Sequence, residues 1–149
     1  MADHVREQIT VAAIAAVTGL TTTSTRVYRD RDTDAQPLQD VEVPGLVVED
    51  DGEPAEVVTV DVAGVMERDM RLKLTAHVKA LTPSTTLNKI LKEIEIALAG
   101  ASLGGAKYAH LIEVAGRETS KAAETPMVRQ AFHFTLRYYT TRAAPDVAL

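Results

Sequence analysis

The chain has 149 residues, no cysteine, no tryptophan, a formal net charge of −5 and 46% hydrophobic residues. That is the size of one domain, which buries roughly 70% of the surface its unfolded chain exposes, and without cysteine neither disulfides nor thiolate metal sites can support it. An acidic chain with two Phe, four Tyr and no basic run gives nucleic acid neither counterion release nor a stacking platform, so sequence-specific DNA binding is not expected.

The first predicted element is a helix, capped by Asp3, with Val5, Ile9, Ala12, Ala13, Ala16 and Val17 at helical spacing and Gly19 placed for a left-handed C-terminal residue. Its apolar run, residues 11–17, is too short to span a bilayer and lacks the basic flank and cleavage pattern of a signal peptide, which predicts a soluble, unexported chain with no membrane partner. A short strand is expected over residues 25–29. The connection that follows, residues 30–44, carries Asp30, Asp32, Asp34, Asp40 and Glu42 with Arg31 as its single base. Like charges at that density repel one another, so this segment is predicted to be a flexible acidic loop. Across residues 30–56 ten acids face that one arginine, interrupted by Val43, Pro44, Gly45, Leu46, Val47 and Val48. Those aliphatic residues predict a buried strand over 46–50, closed by the turn Asp51, Gly52, Glu53, Pro54. A β-branched strand over 57–62 and a turn or bulge at Gly64 complete the first half.

Residues 66–80 alternate strictly: Met66, Met70, Leu72, Leu74, Ala76, Val78 and Ala80 share one face, and Glu67, Asp69, Arg71, Lys73, Thr75, His77 and Lys79 the other. Period-two alternation predicts a strand with one packed face and one wet face, and Arg68 is the one misfit on its apolar side. Thr82 and Pro83 then start a helix whose stripe is Leu87, Ile90, Leu91, Ile94, Ala97 and Leu98, ending at Gly100. A strand over 108–115, a polar loop over 116–126 and a last strand over 126–141 follow. In that strand Val128, Phe132, Phe134, Leu136 and Tyr138 oppose Arg129, His133, Thr135, Arg137 and Tyr139. Residues 142–149 are read as a flexible tail. The prediction is a single α+β domain, with two helices packed on one face of a mostly antiparallel, mixed sheet and the other face left to solvent or to neighbouring copies.

Apparent enzyme motifs do not survive their context. Gly100, Ala101, Ser102, Leu103 and Gly104 spell a G-x-S-x-G elbow, but the elbow needs a strand before its serine and a helix after it, and here the helix comes first. The stretch from Gly100 to Lys107 likewise closes a helix where a phosphate loop must open one. His4, His77, His110 and His133 are too dispersed for a local ligand pair, and two of them, His77 and His133, fall on wet strand faces as ordinary surface residues. The acids between Glu49 and Glu53 resemble half a calcium loop without its bidentate glutamate. No catalytic residue, metal or cofactor is predicted, and a molecule that works through surfaces is the better expectation. Against the acidic arm, residues 107–142 carry six bases (Lys107, Arg117, Lys121, Arg129, Arg137, Arg142) and three acids.

In this order of elements the chain resembles the tail terminator proteins of long-tailed bacteriophages, the family of the minor tail protein U of phage lambda. The resemblance runs over essentially the full length. It rests on the first helix, the short strand at Val27 and Tyr28, the acidic loop, the Pro44-Gly45-Leu46-Val47-Val48 run, the strand 70–78, the helix 87–98, the strand 108–113 and the closing aromatic pair Tyr138 and Tyr139. Gly45 and the long 55–65 hairpin depart from the family pattern and also suit a head–tail connector, stopper or tail-completion protein. The resemblance implies a non-enzymatic virion protein assembled in the host cytoplasm, located at the head-proximal end of the tail. It further implies a homo-oligomer, a hexameric ring that caps the tail tube, ends its polymerisation and meets the head connector, with DNA passing through the lumen. The family supplies no string of contact residues. Charge and exposure alone point to Asp30, Asp32, Asp34, Asp40, Glu42, Arg117, Arg129 and Arg137 as interface candidates, acid facing base around a ring. A small-ligand or peptide-binding module using the open sheet face is the alternative of another class.

Overall fold

A computed structural model describes residues 2–53, 58–59, 64–120 and 124–149. In chain order it contains α1 (Val5–Val17), β1 (Val27–Arg29), a single 3-10 turn (Asp40–Glu42), β2 (Gly45–Asp50), β3 (Val58–Thr59), β4 (Val65–Lys79), α2 (Ser84–Gly100), β5 (Tyr108–Val114), β6 (Glu118–Ser120) and β7 (Met127–Thr141). The strands form one sheet in the order β1-β2-β4-β7-β5, with β3 beside β4 and β6 beside β7. Among the described residues only β1 and β2 run parallel; the other pairings are antiparallel. The predicted class, two helices on one face of a mixed and mainly antiparallel sheet, is the one observed.

The alternation in β4 and β7 sets this layering. Their full-length pairing places Met70 opposite Leu136, Leu72 opposite Phe134, Leu74 opposite Phe132 and Val78 opposite Val128. All eight side chains are buried, and they join Leu46 and Val48 of β2 in one core. Both helices turn their apolar stripes onto this face: Val5, Ile9, Ala13 and Val17 from α1, and Leu87, Ile90, Ile94 and Leu98 from α2. Burial of such side chains contributes about 2 kcal/mol each, so the core rather than helix propensity holds the layers together.

Several local expectations shift. His4, not Asp3, caps α1, its Nδ1 accepting the Arg6 N–H at 3.1 Å. Pro83 occupies the cap of α2, and Thr82 makes no capping bond. Gly19 has the left-handed φ of +88° that the sequence required. Of the strand predicted over 57–62, Val58 and Thr59 pair with β4, and the rest of that prediction lies outside the described residues. The polar loop 116–126 contains β6, which pairs with the start of β7. The G-x-S-x-G stretch is a packing loop: a Cβ on Gly104, at φ +61°, would sit 2.7 Å from the Gln8 carbonyl of α1.

The misfit Arg68 is accommodated by a polar cluster at one end of the core. Its guanidinium lies 3.0 Å from Glu53 and over the ring of Tyr138 at 5.3 Å. The Tyr138 hydroxyl donates to the same Glu53 carboxylate, and Arg6 of α1 approaches it at 3.6 Å. Burial and the Glu53 carboxylate push the Tyr138 phenol well above its ordinary pKa. Residues 142–149 run back along α1: the Val5 N–H donates to the Pro145 carbonyl, Gln8 Nε2 to that of Asp146, and the Leu149 N–H to that of Tyr139.

Candidate functional site

The second sheet face begins from the polar positions of the same two strands. Lys73, Thr75 and His77 of β4 lie with Arg129, Ala131 and His133 of β7 and with Val47 and Glu49 of β2 along one groove. The acidic segment 30–44 crosses one end of it. In sequence this face reads as wet, yet His77 is only 3% exposed and Thr75 is buried too. The alternation gives the face correctly. What it cannot give is that another part of the chain covers that face.

The arm is held together by its own contacts. Asp32 Oδ1 accepts the N–H groups of Asp34 and Ala35 at 3.0 and 3.3 Å, and the Gln36 N–H closes a turn onto the Asp32 carbonyl at 2.7 Å. Arg31 then binds the arm from within, donating to the Gln36 and Pro37 carbonyls and through both terminal nitrogens to Glu42. Glu42 also accepts the Gln39 N–H at 2.8 Å. These donors, Arg31 first, hold the Glu42 carboxyl down at about 2. The arm returns to β2 through Gly45, where a Cβ would stand 2.3 Å from the Glu42 carbonyl and 3.2 Å from that of Arg26. Glycine at this position is a packing requirement.

Docking of the arm on the sheet uses fewer groups. Arg129 donates to Asp34 and to the Thr33 hydroxyl, each at 3.1 Å, and to Glu118 of β6 at 2.6 Å. Lys79 reaches Asp40 at 3.0 Å. Leu38 is the arm's one buried hydrophobic residue. Under and beside the arm lie two connected hollows of about 430 and 390 Å³, and His77, Arg129, Thr33, Asp34 and Glu118 line both. His77 Nε2 is buried without a hydrogen-bond partner among the described residues. Burial, then the nearby charges of Arg129 and Arg31, depress its pKa to about 4, so the imidazole is neutral at pH 7.

The eight candidate residues thus separate by place. Asp34 and Arg129, nominated as partners between copies, meet within one chain, and Glu42 binds Arg31. Asp40 meets Lys79, a residue the sequence did not single out. Asp30, at φ +52°, starts the arm beside Arg29 at 3.4 Å, and Asp32 shapes the turn. Arg137 lies farther along β7 and is held by Asp69 at 2.8 Å and Glu67 at 3.0 Å, both across the ladder on β4. Arg117 is exposed between β5 and β6. His77 and His133 are not cross-strand neighbours; they face Arg129 and Lys73 respectively. The acids of the half calcium loop are directed elsewhere: Asp50 to Arg6, Asp51 to His133 and Glu53 to Arg68. Among the described residues no group of three or more His, Asp or Glu side chains is placed to hold a metal ion, and no helix is long and apolar enough to cross a membrane. Chemically the site is a mosaic of ion pairs over a sheet, suited to recognising a charged surface.

No family model matches the chain, and no curated protein matches it. Among solved structures, a similar chain belongs to one described as "Virion of native gene transfer agent (GTA) particle", with 16% identity, a TM-score of 0.45, and coverage of 90% of this chain and 92% of that one.

Proposed function

We propose that this chain is a structural protein of a phage-like virion, a tail terminator whose copies form a hexameric ring on the head-proximal end of the tail tube. The observation that carries this is the order of elements. Helix, short strand, acidic connection, the Gly45–Asp50 strand, long strand, helix, strand and closing strand occur in the fold in the sequence on which the resemblance rests. In this role the ring stops tube polymerisation and presents a surface to the head connector. DNA passes through the lumen without sequence readout, and the chain's net charge of −5 keeps its adhesion to the passing phosphates weak. Copies of one chain close a ring through a rotationally repeated contact between two different patches. Asp30, Asp32, Asp34, Asp40, Glu42, Arg117, Arg129 and Arg137 are the residues proposed for those patches. A connector or stopper is the nearest alternative role, and it differs in the partner bound rather than in the chemistry.

The test is tube assembly in solution. Added to its polymerising tail-tube protein, the chain is expected to arrest growth and to appear by mass photometry as a six-copy species at tube ends. A chain that stays monomeric with tubes present and leaves their length unchanged is not a terminator.

A further inference from the structure

The arm and the surface beneath it have the properties of an exchangeable pair. The arm's shape is fixed mainly by the Asp32 turn and by Arg31 bridging Gln36, Pro37 and Glu42, with Arg31 also lying over the Tyr28 ring of β1 at 5.1 Å. Apart from its two ends, held at Tyr28 and by Arg26 donating to the Pro44 carbonyl at 2.7 Å, its attachment to the sheet is polar and sparse, resting on Asp34 and Thr33 with Arg129, on Asp40 with Lys79, and on the single buried Leu38. The fit is also incomplete, since hollows of about 430 and 390 Å³ remain and His77 Nε2 goes without a partner among the described residues. Two surfaces that are complementary within one chain are equally complementary between two identical chains, and exchange of an element conserves the contacts it makes.

We propose that the acidic arm is exchanged between copies, residues 30–44 of one subunit seating on the Arg129, His77 and Lys79 surface of the next. This rests on the ring reading and gives it a mechanism: the acid–base complementarity closes within the chain in the monomer and between chains in the assembly. Attachment through exposed ion pairs favours exchange, because such pairs are weak singly and released by salt. The arm is then a tether that each copy offers to its neighbour.

The absence of cysteine makes the test direct. In a variant carrying Asp34→Cys and Arg129→Cys, positions joined through a long arginine side chain and so too far apart at their α-carbons for a direct disulfide, a short bis-maleimide added to assembled rings is expected to yield covalent ladders of up to six chains on denaturing gels, and mixed single variants are expected to yield linked pairs. Asp40→Cys with Lys79→Cys provides a second pair at another point of the same contact. Rings that are counted intact by mass photometry yet give only monomers on the gel overturn the exchange and leave the ring reading standing, whether the cysteines close within a chain or stay open in both pairs. Failure to form any assembly with tube ends present overturns both.

Discussion

His77 offers a quantitative check on the placement of the arm. Its imidazole is neutral in the fold because burial, Arg129 and Arg31 oppose its protonation, and its pKa is about 4 against 6.5 ordinarily. Lys73, Asp30, Asp32, Asp34, Glu49, Glu118 and His133 line the same hollow. Between those two values the unfolded chain binds the proton and the folded chain does not, so stability falls as pH drops from 6.5 toward 4. The full effect is about 3 kcal/mol, and about 2 kcal/mol of it is lost between pH 7 and pH 4.5. Carboxylates titrate in this range as well, so the measurement is a difference: urea unfolding of the native chain and of His77→Gln at both pH values. The variant is expected to escape this loss, narrowing or reversing its stability gap to the native chain by about 2 kcal/mol on acidification. Parallel pH profiles would mean that His77 is solvated in the fold and that the arm does not cover it.

Three further outcomes follow from the packing. Tyr138→Phe removes the hydroxyl that donates to Glu53 and is expected to lower stability by about 1–2 kcal/mol in chemical denaturation; an unchanged midpoint would place that hydroxyl in water. Gly104→Ala forces a Cβ against backbone atoms of Gln8 at a positive φ and is expected to lower stability by more than about 1 kcal/mol. Gly116→Ala, where a Cβ meets nothing within 4 Å, serves as the neutral control, and equal melting temperatures for the two variants would contradict the close approach. Arg31→Ala is expected to raise the Glu42 carboxyl from about 2 toward its ordinary 4.5, read by an NMR titration. With Arg31 present, the stabilisation from Glu42 is complete above its ordinary value and is lost as pH falls toward 2. A carboxyl that does not move would show that the Gln39 N–H and the Tyr28 hydroxyl hold it without Arg31.

Legibility in the sequence followed the range of the interactions. The alternation in residues 66–80 and 126–141 is a local signal, and it identified the core residues of β4 from Met70 to Val78 and of β7 from Val128 to Tyr138, while Met66, named on the same face, is only half-buried. The stripe on α2 gave Leu87, Ile90, Ile94 and Leu98, with Leu91 and Ala97 at its half-buried margin. What escaped were contacts between segments far apart in the chain. Arg129 and Asp34 are separated by 95 positions, so charge could name both as candidates without revealing that they meet in one subunit. His77 carries a polar-face signature, and only the fold of the arm shows that this face is covered. Strand β6 was hidden because Glu118, Thr119 and Ser120 are all exposed and carry no periodicity. The helix cap moved by one residue because the His4 imidazole does what a carboxylate at Asp3 would otherwise do.

The most direct test of the terminator role is cryo-electron microscopy of tails assembled with and without this chain. The expected image is one additional six-fold ring of this fold at the head-proximal end of tubes of uniform length, absent when the chain is omitted. Uniform tubes without it, or tubes that carry no added ring when it is present, would contradict the assignment.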